Sequence, residues 1–135
     1  KHVRILGPER SATQIELAQT DCRNIGIKAP VRSSGDTKGT PGVTLRGPNG
    51  TLTVPEGVMI ADRHIHMTPA QAAAFGLADG DRVKVKIDGP KPGVMGGVLI
   101  RANDKCALDF HIDTDDGNAF LLKQGQLVTV LGKEE

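Results

Sequence analysis

Residues 82–87 read Arg-Val-Lys-Val-Lys-Ile, an unbroken alternation of cations and branched aliphatics. A period of two sends every aliphatic side chain to one face and every charge to the other, which a half-buried β-strand uses and a helix cannot. Such a strand needs partners, and the rest of the chain is cut into pieces of similar length. Seventeen glycines and eight prolines, close to a fifth of the 135 residues, leave no room for a long helix.

Apolar runs at 3–6, 13–17, 58–61, 97–101, 106–112 and 125–130 read as further short strands. Residues 43–45 and 51–54 flank Gly47-Pro48-Asn49-Gly50, whose Asn-Gly step suits the positive φ angles of a tight hairpin. Thr20 or Asp21 is expected to cap a single helical turn, Thr68-Pro69 to open a helix through Phe75 that Gly76 ends, and residues 115–120 to form a last turn. The polar stretch 32–42 is a surface loop. This amounts to about nine short strands and two or three brief helices, a mainly β fold that favours small closed barrels over an open parallel sheet. A helix followed by Leu77-Ala78-Asp79-Gly80-Asp81 and a strand is echoed by a helix followed by Lys123-Gln124-Gly125-Gln126 and a strand, a pattern like that of double-psi barrels. The expectation is two small double-psi-like barrels with short capping helices, divided near 1–54 and 55–135.

Lys and Arg number 17 against 16 Asp and Glu, a net charge of +1, and the cations are scattered, so neither a nucleic-acid binder nor an acidic tail is indicated. With 2% aromatic residues and no Trp or Tyr, base stacking has almost nothing to use. Cys22 and Cys106 form no CxxC pair and read as buried thiols of a reducing compartment. No run suits a membrane span, and Lys1-His2-Val3-Arg4 lacks the apolar region of a signal peptide, so a cytoplasmic location is expected. The sequence starts without Met, in what reads as a strand, as a fragment or processed product would.

His64 and His66 stand two apart, so on an extended segment both imidazoles project to one side, a geometry that suits a metal. A His-x-His pair at a strand end is also met as two solvated side chains. His111, in another expected strand and followed by Asp113, Asp115 and Asp116, completes a set of three imidazoles. With one carboxylate these make a catalytic zinc shell with room for an exogenous ligand. Glu16, between Ile15 and Leu17, is the candidate carboxylate, the alternative being an outward-facing glutamate. Asp113 and Asp115 read as partners of a ligating imidazole or as helix caps. Arg10 lies near the strand end that carries Gln14 and Glu16, and its planar fork suits phosphate, although most isolated arginines are solvated. Ser33-Ser34-Gly35 offers donors but lacks the lysine of a P-loop, and no GxSxG elbow exists, so a nucleotide hydrolase is rejected and a serine or cysteine nucleophile is poorly supported.

Several separated stretches together resemble the PduL-type phosphotransacylases, also called phosphate propanoyltransferases. They are Arg4-Ile5-Leu6-Gly7-Pro8, Thr13-Gln14-Ile15-Glu16, Ala29-Pro30-Val31-Arg32 with Ser34-Gly35-Asp36, Arg63-His64-Ile65-His66-Met67 and His111-Ile112-Asp113-Thr114-Asp115. The resemblance implies two β-barrels around a zinc site, with a second zinc in the complete enzyme, and exchange of an acyl group between coenzyme A and inorganic phosphate. It implies that Glu16, His64, His66 and His111 ligate zinc and that Arg10 and Gln14 meet phosphate. Arg4, Leu6, Ser34 and Asn118, with His111, would lie along coenzyme A. Members of that family carry an N-terminal stretch with its own His-x-His pair, which this sequence does not contain, so an upstream segment is an expected partner and the first barrel is expected to be incomplete. Homo-oligomers and residence in a bacterial microcompartment lumen, or on its shell, fit the same resemblance. Two rivals stay open: a zinc-dependent thioester or ester hydrolase, and a non-catalytic ligand-binding barrel.

Overall fold

The computed structural model describes residues 2–7 and 9–135; Lys1 and the proline of the expected Gly7-Pro8 turn lie outside them. The fold is mainly β, with ten strands and three short helices among the described residues. Strands β1 (Ile15–Glu16), β2 (Val31–Arg32) and β5 (Val58–Ala61) form a parallel sheet in the order β1-β5-β2. A hairpin pairs β3 (Val43–Gly47) with β4 (Gly50–Val54). The largest sheet joins β6 (His64–Met67), β7 (Arg82–Ile87), β8 (Gly93–Ala102), β9 (Asp109–His111) and β10 (Thr129–Lys133) in the order β10-β7-β8-β6-β9.

The alternation at 82–87 does what its chemistry requires: Val83, Val85 and Ile87 are fully buried while the three cations stay outside. They join Ile65, Met67, Leu77, Met95, Val98 and Ile100 in one hydrophobic cluster, and a second cluster holds Leu17, Cys22, Val58 and Ile60. Burial of each such aliphatic contributes about 1.5–3 kcal/mol. Cys22 is therefore the buried thiol that was expected.

Helix α1 (Gln19–Ile25) starts earlier than Thr20 or Asp21 would cap it, and its N-cap, Ala18, makes no side-chain bond. The free backbone N–H of Thr20 instead donates to Asp115 Oδ2 at 2.8 Å, so a carboxylate from another element replaces the missing cap. Helix α2 (Pro69–Ala74) follows the expectation, with Thr68 and Gln71 closing a reciprocal capping box directly after β6. Helix α3 (Thr114–Phe120) is capped by Asp113, which accepts from the Asp116 N–H at 2.8 Å.

Other expectations change as well. The run at 3–6 forms no strand: it pairs with no neighbour among the described residues, and Ile5 is 99% exposed, because alternation without a ladder leaves backbone groups to water. The hairpin turn centres on Pro48-Asn49 rather than Asn49-Gly50, with Gly47 opposite Gly50, so Pro48 presets the first turn residue and only Gly50 has positive φ. The last strand begins at Thr129, later than the expected 125–130, because pairing with β7 sets its limits.

Candidate metal centre

Strand β6 lies between β8, parallel to it, and β9, antiparallel to it. Its alternation sends Ile65 and Met67 into the core cluster and leaves His64 and His66 on the opposite face. Register pairs His64 directly with His111, so the third imidazole arrives on that same face. Ligand atoms from the three histidines all lie within 4.8 Å of one another. The Nε2 atoms of His64 and His66 are 3.2 Å apart. Two nitrogens held about 2.0–2.1 Å from one tetrahedral ion would sit roughly 3.4 Å apart, so the pair fits a shared metal.

Each ring has a second partner. His64 Nδ1 donates to the Asp62 carbonyl at 2.8 Å, and a carbonyl can only accept, so the lone pair lies on Nε2. His111 Nε2 lies 3.0 Å from Asp109 Oδ2, and His66 Nδ1 lies 3.2 Å from Cys106 Sγ. Desolvation lowers the His64 pKa; the Asp62 carbonyl opposes it, and the charges of His111 and Arg101 reinforce it. Desolvation likewise lowers that of His66, followed by the charges of His64, His111 and Arg101. Both shifts favour the neutral imidazole that a metal requires.

Glu16 is exposed on β1 and stands outside this close cluster, although its charge is felt at His64. It belongs to a polar group in which Gln14 Nε2 donates to Glu16 Oε1 at 2.5 Å and to Ser34 Oγ at 2.9 Å, while Gln14 Oε1 accepts from the Gly35 N–H at 2.7 Å. Arg10 and Gln14 line one cavity of about 250 Å³ with Gly35 and Thr37. Arg4 and Asn118 line another, of about 860 Å³, together with Phe75, Leu108, Ile112 and Leu127. That volume suits a sizeable organic ligand. Leu6, 76% exposed, and Ser34 do not line the larger cavity.

Sequence reading missed Cys106, Asp109 and Arg101 at this site. Asp109, two residues before His111, could have been found by the alternation that places both on one face. Cys106 could not, because its approach to His66 depends on how the loop before β9 folds back. Since a hydroxyl can replace the thiol as acceptor, Cys106→Ser should keep the wild-type metal content, whereas Cys106→Val should lower metal affinity roughly tenfold, measured by chelator competition.

Three imidazoles converging on one face of a mixed β-sheet, each with one ring nitrogen at a partner outside the set, define a β protein with a candidate transition-metal centre. The family model for phosphate propanoyltransferase matches residues 1–123, and the chain belongs to that family. Relatives named phosphate propanoyltransferase include one from Thermotoga maritima, 47% identical over 132 residues, covering 97% of this chain and 63% of the relative. Another, from Shewanella putrefaciens, is 48% identical over 132 residues with the same coverage. One from Salmonella typhimurium is 48% identical over 120 residues, covering 88% of this chain and 57% of the relative. The chain thus spans about three fifths of the length of these relatives. Among the described residues no helix is long and apolar enough to cross a membrane.

Proposed function

We propose that the chain is part of a zinc-dependent phosphate acyltransferase that converts acyl-coenzyme A and inorganic phosphate to acyl phosphate and coenzyme A. The observation that carries this reading is the family match over residues 1–123. His64, His66 and His111 would hold zinc, and Glu16, which stands outside their cluster, is assigned as a further ligand by the family resemblance. When bound, zinc supplies Lewis-acid stabilisation of developing negative charge.

The chain's own residues do the positioning. Arg10 presents a planar pair of donors to phosphate, and Gln14, whose amide is held by Glu16, Ser34 and Gly35, forms the wall beside it. A phosphate oxygen attacks the thioester carbonyl, the C–S bond breaks, and coenzyme A leaves as the thiolate. Arg10 steadies charge on the phosphate during the step. The larger cavity, with Arg4 and Asn118 in its wall, is the candidate coenzyme A channel. Leu6, Ser34 and His111 do not line it and are assigned to coenzyme A by the family resemblance alone.

Closure of the strands into two small barrels belongs to the same proposal, as does the division near residues 54 and 55. Two separate hydrophobic clusters support two units, but Val58 and Ile60 pack with Leu17 and Cys22 while the other cluster begins at Ile65, which favours a division after β5 rather than before it. An upstream segment with its own His-x-His pair would complete the first barrel and hold a second zinc. Residence in the cytoplasm or a microcompartment lumen, and assembly into homo-oligomers or on a shell, also remain part of the proposal.

The test is release of free thiol from a short acyl-coenzyme A with and without phosphate. Phosphate-dependent release supports the acyltransferase; equal release without phosphate identifies a hydrolase, and no release from the zinc-loaded, completed protein identifies a binding barrel. These residues alone should hold less zinc and turn over more slowly than a protein that includes the upstream segment. Full activity in a preparation shown by mass spectrometry to lack that segment would refute its role.

A further inference from the structure

The dipeptide Asp62-Arg63 joins β5 to β6, at the changeover between the two hydrophobic clusters and immediately before His64. It is held from every side. The Asp62 N–H donates to the Arg32 carbonyl at 2.9 Å, and the Leu99 N–H donates to the Arg63 carbonyl at 3.0 Å. The Arg63 guanidinium meets Asp116 Oδ1 at 2.9 Å. The Asp62 carboxylate receives both arms of Arg82, at 2.6 Å and 3.4 Å, and Arg82 is anchored in turn on the Gly97 carbonyl at 2.5 Å. The Asp62 carbonyl accepts the hydrogen bond from His64 Nδ1–H.

We infer that Arg82 and Asp62 form a positioning pair for His64. By holding the Asp62 carboxylate in a two-armed grip, Arg82 fixes the peptide whose carbonyl selects the His64 tautomer and aims Nε2 at the other histidines. No side-chain contact of either residue with the histidines is involved; the pair acts through one backbone oxygen, the Asp62 carbonyl. A fork–carboxylate contact with both arms engaged sets orientation as well as distance, which a single ammonium contact does not. The inference rests on the metal-site reading for its affinity readout, while its tautomer readout needs no metal.

A neighbouring ion pair supplies the control. Lys133 Nζ meets Asp81 Oδ1 at 2.6 Å, with side chains 61% and 15% exposed, close to the 45% and 15% of Arg82 and Asp62. Loss of either pair should affect stability to a similar, small extent. Only loss of the Arg82–Asp62 pair should reach the histidines.

The experiment compares wild type, Arg82→Ala, Asp62→Asn, Lys133→Ala and His64→Ala. Zinc affinity is read by chelator competition, and His64 ring-nitrogen shifts are read by NMR on metal-free protein at a pH where the imidazoles are neutral. Wild type and Lys133→Ala should show one His64 tautomer, protonated at Nδ1, and equal zinc affinity. Arg82→Ala and Asp62→Asn should show mixed tautomers and about tenfold weaker zinc binding, the lower end of what an outer partner of a metal-bound histidine contributes. Asp62→Asn preserves side-chain volume, so it carries the test if Arg82→Ala fails to fold. A single Nδ1–H tautomer retained in the folded variants, or wild-type zinc affinity in them, overturns the inference. Wild-type zinc affinity in His64→Ala would instead overturn the metal-site reading, and the tautomer result would still decide the positioning role.

Discussion

Removing either imidazole, by His64→Ala or His111→Ala, should lower zinc affinity by more than about 100-fold, since loss of a partner that merely orients a metal-bound histidine already reduces affinity 10–100-fold. The two residues face each other in register across β6 and β9, so each deletion leaves the ligand set incomplete without disturbing the core behind it. That core is made by Ile65 and Met67 on the other face, so the folded state should survive. Zinc content after equilibrium dialysis, with the thermal midpoint of the metal-free proteins measured in parallel, checks both halves. Stoichiometric zinc in either variant would remove that residue from the ligand set. A collapse of the metal-free fold would show that the histidines serve packing rather than metal.

Arg10→Lys should retain zinc and lose phosphate chemistry. Arg10 lies in the wall of the smaller cavity with Gln14 and is absent from the histidine cluster. Lysine keeps the charge but replaces a fixed pair of parallel donors with a mobile point charge. If the fork steadies charge that grows during transfer, kcat should fall on the order of 100-fold in the completed enzyme, the size of effect seen when one preorganised donor is removed. The phosphate KM should rise as well, while the acyl-coenzyme A KM stays close to wild type. Steady-state kinetics with each substrate varied separately make the comparison. Wild-type phosphate kinetics in a zinc-replete Arg10→Lys protein would return Arg10 to the role of an ordinary solvated cation.

Much of the local structure follows from residues close together in the chain. The alternation at 82–87 is sufficient for a half-buried strand, and Thr68, Pro69 and Gln71 are sufficient to start a helix, because every group involved lies within one turn. The same holds for His64 and His66, whose common face follows from strand geometry alone. His111 was legible as a third candidate by residue type, but only the β6–β9 register brings it opposite His64.

What tertiary structure alone decided depends on pairings between distant segments. The run at 3–6 has the composition of a strand and no ladder among the described residues, while the final strand takes its bounds from β7. Asp115 serves a helix 95 residues away, Cys106 reaches a histidine 40 residues away, and Arg82 grips Asp62 across 20 residues. Side-chain alternation and capping are set by local backbone geometry, which the residue order specifies directly. Register and cross-chain hydrogen bonds are set by which distant surfaces bury each other best, a choice made over the whole fold at once.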